Sequence, residues 1–305
     1  MSVADAHRRL IEELTGPVRL SEAMSRHTTY RIGGPAALFI ECASIGDLAS
    51  ATSILAEEEL EWTVLGKGSN VLVSDEGYDG AILTLGRDFK RHALADDHLR
   101  SGAGVILGAV VQDAFKTGLS GLEFAVGIPG TVGGALAMNA GSREQWIGSI
   151  VESVTVFQPG VGLVGMRGPE VSWAYRRSDL PMRGIIVEAV LRVVESDAVG
   201  IRRAMEASLR RRKRSQPLGM PSAGSVFVNP EGESAGRLIE AAGLKGAKVG
   251  GAAISEVHAN FIVNAGGATA ADVLSLVRLV RDAVRHSNGI ELRPEIRFLG
   301  TFLES

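Results

Sequence analysis

The sequence predicts an α+β protein of about two domains, and three observations carry that prediction. Strand-like and helix-like segments mix without the strict strand–helix–strand alternation of a doubly wound sheet. The length of 305 residues corresponds to about two domains at roughly 150 residues each. A composition shift at residues 196–222, where a charged helical stretch meets a Pro/Gly/Ser-rich loop, marks the boundary.

The elements follow in order. Residues 3–15 read as an amphipathic helix with Val3, Leu10, Ile11 and Leu14 as its apolar points. HTTYRIGGPAALFIECAS, from His27, reads as strand, turn, strand. SIGDLASATSILAEEEL is helical, with Ser44 and Asp47 as its start signal. WTVLGKGSNVLVSD reads as strand, glycine loop, strand, and GAILTLG as a further strand. Residues 98–118 pass from strand into helix. GLEFAVGIPGTVGGALAMNAGS is apolar but broken by glycine and proline. IVESVTVF, GLVGMRG and IIVEAVLRVV are strands, and Ala198 to Arg214 is a helix with a very basic second half. SVFVN is a short strand, and SAGRLIEAAG is a helix ended by Gly243. AAISEVHANFIVN is strand-like. Residues 270–286 carry Val273, Leu276, Val277, Val280 and Val284 at helical spacing, the clearest helix of the chain. ELRPEIRFLG closes as a strand.

Composition narrows the function. A net charge of −3, from 32 basic and 35 acidic residues, gives no general attraction to nucleic acid or to an anionic membrane. One cysteine, Cys42, allows neither an internal disulfide nor a cysteine-rich metal site. The six histidines lack metal-ligand spacing. No stretch approaches the ~20 apolar residues of a membrane span, and the charged N-terminus lacks a secretory apolar region, so a cytoplasmic protein is expected. The 38 glycines cluster without a period, which suggests many sharp turns or close backbone approaches to a ligand.

Five motifs could carry chemistry. In VLGKGSN, Val64 to Asn70, glycines allow successive backbone amides to curl into a concave anion site, and Ser69 and Asn70 add side-chain donors; a diphosphate would suit it, but taken alone the motif reads better as a plain hairpin turn. In GIPGTVGGALAMNAG, Gly127 to Gly141, five glycines in an apolar setting suggest backbone laid against a flat ligand, with Asn139 as a polar handle; a tightly packed buried loop is the other reading. AYRRSD places arginines where one could hold a carboxylate, Arg177 reading as a surface residue. Ser225, in PSAGSVFVNP, lacks the setting of a hydrolase nucleophile and reads as a turn serine or a proton-donating hydroxyl. Glu295, after Pro294, reads by itself as a structural glutamate. GAGVILG misses the dinucleotide-fold spacing, and the basic run LRRRKR reads as a solvated helix face.

Taken together, TTYRIGGPA, VLGKGSNVLV, GLEFAVGIPGTVGGALAMNAG, YRRSD, QPLGMPSAGSVFVNP, AGRLIEAAGLKGAKVGGAAISEVHANFIVN and LRPEIRFLG resemble, in order, the motifs of the UDP-N-acetylenolpyruvoylglucosamine reductase family. The resemblance spans roughly residues 28–300. It implies a PCMH/VAO-type FAD-binding unit over residues 1–195, in lobes of about 1–86 and 87–195. A substrate-binding α+β domain would cover 196–305, its last strand returning toward the first lobe. The implied activity is NADPH-dependent, FAD-mediated reduction of UDP-N-acetylenolpyruvoylglucosamine to UDP-N-acetylmuramate, with FAD bound non-covalently. The cofactor-binding residues implied are Val64, Leu65, Gly66, Lys67, Gly68, Ser69 and Asn70; Gly127, Ile128, Pro129, Gly130, Thr131, Gly133, Gly134, Met138, Asn139, Ala140 and Gly141; and Ile186 and Val187. Arg176 matches the arginine that stabilises charge on the substrate carboxylate, Glu295 the glutamate at the same carboxylate, and Ser225 the residue that protonates the adjacent carbon. Tyr175, Arg214, Asn229, Lys245 and His258 match contacts to the nucleotide-sugar. The chain departs from the family pattern at His27, at Val228 and at Ser142-Arg143-Glu144. No nucleic-acid, membrane or protein partner is expected. Two other readings share the glycine motifs: a PCMH-type oxidase or dehydrogenase of another small molecule, and a non-catalytic flavin or nucleotide-sugar binding protein.

Overall fold

The computed structural model describes residues 2–95, 97–142 and 144–302. Arg143 therefore lies outside the described residues. The chain begins with α1 (Val3–Glu13), capped by the Ser2 hydroxyl, which accepts the Asp5 amide. Its buried face is Ala6 and Leu10, and Ile11, expected inside, is 54% exposed. Strands β1 (Val18–Ala23) and β2 (Pro35–Cys42) follow, then α2 (Ile45–Glu57), with Ser44 as N-cap. Next come β3 (Trp62–Val64), β4 (Val71–Val73), β5 (Tyr78–Leu85), β6 (His92–Ala95) and β7 (His98–Gly102). Helix α3 (Leu107–Lys116), β8 (Leu119–Ser120) and the short α4 (Val132–Ala137) precede β9 (Val151–Gln158) and β10 (Gly162–Arg167). Then come β11 (Trp173–Ala174), β12 (Arg177–Ser178), α5 (Leu180–Arg183), β13 (Ile185–Arg192), β14 (Val194–Glu195) and α6 (Ala198–Ser215). The chain ends with α7 (Ala235–Ala241), β15 (Lys248–Val249), β16 (Ala252–Ile254), β17 (Ile262–Asn264), α8 (Ala270–Asn288) and β18 (Arg297–Leu299).

Three sequence expectations are corrected. TTYRI is not a strand: the Thr28 hydroxyl donates to Ile32 O at 2.9 Å and Arg31 takes φ +58°, so the segment turns, although its β-branched and aromatic residues favour extended backbone. SVFVN is reduced to one bridge, Phe227 opposite Pro294, because Asn260 supplies its other hydrogen bonds. AAISEVHANFIVN is not continuous, since Ser255 N donates to Phe261 O and closes a turn between β16 and β17.

Contacts divide the chain into two compact units that are not contiguous in sequence. The first comprises Met1–Leu20, Leu38–Lys67 and Gly80–Arg210, and the second Ser21–Ala37, Gly68–Asp79 and Arg211–Ser305. The expected cut was instead a single one at 195/196. In the first unit the antiparallel sheet β10-β9-β13-β7-β6 is the largest element. A second sheet has the order β1-β2-β5-β3, with β3 parallel to β5. One continuous apolar core holds Leu38, Ile40, Leu83, Leu99, Val110, Leu136, Val156 and Leu191.

In the second unit, α8 packs on the small antiparallel sheet β15-β16-β17, and α7 packs on α8. Helix α8 buries Ala270, Val273, Leu276, Val277, Val280 and Val284 on one face. At about 2 kcal/mol for each of the five larger side chains, that face contributes on the order of 10 kcal/mol before conformational entropy is subtracted. Its N-terminus carries a Thr269/Asp272 capping box, and its C-terminus ends at Gly289 in the left-handed region. Asp75 adds a second cap: its two carboxylate oxygens accept the Ala270 and Ala271 amides at 2.7 and 2.9 Å. β18 pairs parallel with β4.

Candidate active site

The first unit brings several cofactor candidates together. A Cβ built on Gly66 would lie 2.6 Å from Thr131 Oγ1, so the middle of the VLGKG segment lies directly against the start of α4. Thr131 caps that helix, its hydroxyl accepting the Gly134 amide at 3.2 Å. Gly133 N donates to Ala103 O, and Ala103 N donates to Val187 O, at 2.8 and 2.9 Å. Val187 is the extra residue of a β-bulge between Ile186 and Glu188. The bulge turns its carbonyl toward Ala103 and out of the regular ladder. Both Ile186 and Val187 are buried.

The glycines of Gly127–Gly141 have different causes. Gly127 and Gly130 take φ +75° and +124°, conformations open to glycine alone at little cost. Gly133 and Gly141 are required by protein packing, since a Cβ would meet Ala103 Cβ at 2.9 Å and Gln145 O at 2.3 Å respectively. Gly134 is required by neither: it is exposed, and a Cβ there would meet only Thr131 Oγ1, at 3.5 Å. Close packing and backbone conformation thus account for four of the five glycines expected along a ligand, and Gly134 alone has neither cause.

Amide accounting gives the fit to a dinucleotide. Among the described residues, the amides of Gly66, Lys67, Gly68, Gly130 and Thr131 donate to no acceptor. The three in succession, ending at Gly68 with φ +61°, are the donor set that a diphosphate requires. The first-turn amides of α4 are different, for Val105 O, Ala103 O and Thr131 Oγ1 take them. The residues therefore fit FAD with the diphosphate on the Gly66–Gly68 loop.

Arg176 lies in the first unit, at the tip of a two-residue hairpin between β11 and β12. It takes φ +58°, a left-handed conformation costing about 1 kcal/mol for a residue with a side chain. Its Nη1 donates to Gly141 O at 2.9 Å, and its guanidinium lies over the Tyr175 ring at 5.2 Å. Asn139 supports the hairpin: its Nδ2 donates to Ala174 O at 2.9 Å, and its Oδ1 accepts Gly148 N at 3.0 Å. Its carboxamide thus holds protein, where a polar handle on a ligand had been expected. Tyr175 and Arg177 are exposed.

Ser225 and Glu295 come together in the second unit. Glu295 N donates to Val226 O at 2.7 Å, and Phe227 bridges Pro294. Val226 N donates to Asn260 O, and Val228 N to Arg293 O. The residues just after Ser225 are thereby fixed on both sides. The Ser225 hydroxyl is half-buried and bonds to no group among the described residues. Asn70 Nδ2, read from sequence as a cofactor donor, donates to Glu295 O at 3.1 Å and holds that segment. The Thr29 hydroxyl donates to Ser222 O at 2.7 Å, anchoring the start of the serine loop.

The nucleotide-sugar candidates of the second unit are placed separately. The His258 Nδ1 accepts the Asn260 amide at 3.1 Å, which leaves Nε2 to carry the proton of the neutral ring. Burial, then the charge of Lys245, holds the His258 pKa below its ordinary value. Gly236 makes room for the ring, since a Cβ there would stand 2.9 Å from Cε1. Lys245 Nζ pairs with Glu240 at 2.7 Å. Asn229 Oδ1 accepts the Ala235 amide at 2.9 Å and so caps α7. Arg214 is exposed in the last turn of α6. Thr29, Asp75 and Asn260 were missed from sequence. For Asn260, an asparagine directly before the apolar run Phe261-Ile262-Val263 was the one available signal.

Residues 36–161 match the family described as FAD binding domain. With the bare amides of the Gly66 loop, this makes the chain an FAD-dependent oxidoreductase of α+β fold, its flavin unit of the PCMH type. Residues 216–299 match the family described as UDP-N-acetylenolpyruvoylglucosamine reductase, C-terminal domain. The UDP-N-acetylenolpyruvoylglucosamine reductase of Heliobacterium modesticaldum is 46% identical over 294 residues, 96% of this chain and 94% of the relative. That of Bacillus subtilis is 39% identical over 296 residues, 96% and 97% of the two chains. The crystal structure of the Thermus caldophilus reductase superposes with a TM-score of 0.83 at 40% identity, covering 93% of this chain and 99% of that one. The chain belongs to the UDP-N-acetylenolpyruvoylglucosamine reductase family.

Proposed function

We propose that this protein reduces UDP-N-acetylenolpyruvoylglucosamine to UDP-N-acetylmuramate with NADPH, a step of peptidoglycan precursor synthesis carried out in the cytoplasm. The observation that carries the reading is the Ser225 hydroxyl, which bonds to no group among the described residues and sits on a segment bonded to that of Glu295. Bound FAD, held non-covalently by the Gly66–Asn70 and Gly127–Gly141 segments, supplies the hydride acceptor and donor chemistry. Residues 1–195 form the flavin unit in this reading and residues 196–305 the substrate domain.

The reaction saturates the carbon–carbon double bond of the enolpyruvyl ether. A hydride originating on NADPH reaches the terminal carbon, a proton reaches the carbon bearing the carboxylate, and the products are the lactyl ether and NADP⁺. As the hydride arrives, negative charge spreads into the carboxylate. Arg176 offsets that charge with a guanidinium already oriented by Gly141 O and Tyr175. Glu295 contacts the same carboxylate. Ser225 donates the proton; a hydroxyl is a weak acid, and it serves here because the enolate-like carbon is strongly basic. Tyr175, Arg214, Asn229, Lys245 and His258 contact the nucleotide-sugar, the two basic side chains facing its diphosphate.

The test is an absorbance spectrum of the purified protein, followed by NADPH addition with and without the enolpyruvyl sugar. The expected result is a flavin spectrum and sustained NADPH consumption only with the sugar. Turnover supported equally by O₂ and an unrelated alcohol would overturn the proposal.

A further inference from the structure

We infer that Asn260 is the positioning residue for the Ser225 hydroxyl. This inference rests on the proposed role of Ser225 as proton donor. Asn260 is 3% exposed, and both ends of its carboxamide are used on one neighbour. Oδ1 accepts Phe227 N at 2.9 Å, and Nδ2 donates to Phe227 O at 2.8 Å. Its main-chain oxygen accepts Val226 N at 2.8 Å. One residue thus imitates a strand edge: it makes three hydrogen bonds to two consecutive residues, where β pairing is otherwise reduced to a single bridge.

The opposite edge of the same segment is taken by Glu295 N on Val226 O and by Arg293 O on Val228 N. Every main-chain donor and acceptor of Val226 and Phe227 is therefore engaged, and three of those four bonds end on Asn260. Ser225 immediately precedes this clamp and follows Gly224, which takes φ +77° and adds no restraint of its own. The direction of the hydroxyl is set by the clamped peptide that follows it. Among the described residues the hydroxyl has no bond that would hold it otherwise. Asn260 is buried in this clamp and acts through Ser225.

The experiment is a double-mutant cycle on the FAD-loaded protein, pre-reduced and then mixed with the enolpyruvyl sugar. Asn260→Ala is expected to slow reoxidation by about 10- to 100-fold, the range for a misplaced reacting group. Reduction by NADPH, FAD content and the KM for the sugar stay near those of the parent. In the Ser225→Ala background, Asn260→Ala is expected to add no further loss. Hydrogen exchange of the Val226 and Phe227 amides rises in Asn260→Ala, while α8 keeps its protection. Where Asn260→Ala does not fold, Asn260→Asp takes its place in the cycle, keeping an acceptor for Phe227 N and losing the donor to Phe227 O. Parent-like reoxidation in the Asn260 variant, or a loss that adds fully to that of Ser225→Ala, would overturn the positioning role. Parent-like reoxidation in Ser225→Ala alone would instead overturn the proton-donor reading beneath it.

Discussion

Gly134→Ala separates a glycine kept for a ligand from one kept for packing. Gly134 lies inside α4 with no positive φ, and a new Cβ would meet only Thr131 Oγ1, at 3.5 Å, an ordinary contact. In flavin-free protein, alanine is therefore expected to stabilise by about 0.5–1 kcal/mol, through helix propensity and a less free unfolded chain. In a chain of this size that raises Tm by about 1–3 °C. Gly108→Ala in α3, where a Cβ meets nothing within 4 Å, is the control and should give a similar rise. Gly133→Ala should destabilise by about 1–3 kcal/mol, since its Cβ would sit 2.9 Å from Ala103 Cβ. The three variants diverge with flavin. A methyl group forced between α4 and a bound ring costs about 1–3 kcal/mol, so Gly134→Ala should weaken FAD binding roughly 5- to 150-fold while Gly108→Ala leaves it unchanged. Flavin fluorescence titration with melting curves reads both effects. Unchanged FAD affinity in Gly134→Ala, with the stability gain present, would refute the assignment of this wall to the cofactor.

Three further outcomes follow from particular contacts. Asp75→Asn should cost about 1–2 kcal/mol in denaturant unfolding, because it removes one acceptor and the negative charge from the first turn of α8; no change in the midpoint would contradict the cap. Burial, then Lys245, lowers the His258 pKa, so below the unfolded value of about 6.5 the unfolded chain binds the proton first. Stability from this group is thus intact above about pH 6.5 and is lost as pH falls toward the folded pKa, a slope that His258→Gln should remove from midpoints measured between about pH 7.5 and 5. Asn139→Ala should destabilise by about 1–3 kcal/mol, leaving Ala174 O and Gly148 N short of partners, and should raise the KM for the enolpyruvyl sugar by loosening the Arg176 hairpin.

What the sequence disclosed depended on whether the cause was local. Helices α2, α7 and α8 were legible because caps and 3.6-residue periodicity are written into contiguous residues. Helix α4 was not: VGGALA carries two poor helix formers, and its first-turn amides are satisfied by Thr131 and by the distant Ala103 and Val105. Strand β1 has only half-buried and exposed positions, so it lacks an apolar signature. TTYRI has strand composition, but the fully buried Tyr30 donates its hydroxyl to Ile262 O, a partner more than two hundred residues away. The proposed catalytic residues Ser225, Glu295 and Arg176 were named through motif order. Asn260 was not, since its role exists only once Phe227 is folded against it. The same limit hid the protein partners of three asparagines: Asn139 holds Ala174 O and Gly148 N, Asn70 Nδ2 donates to Glu295 O, and Asn229 Oδ1 caps α7.

The proposed reaction depends on a serine hydroxyl that delivers a proton to substrate carbon. The direct measurement is the anaerobic reoxidation rate of pre-reduced Ser225→Ala after mixing with the enolpyruvyl sugar, beside its rate of reduction by NADPH. The expected result is an unchanged reduction and a reoxidation slowed by about 10²- to 10⁴-fold, the usual contribution of a positioned acid. Reoxidation at the parent rate would contradict it.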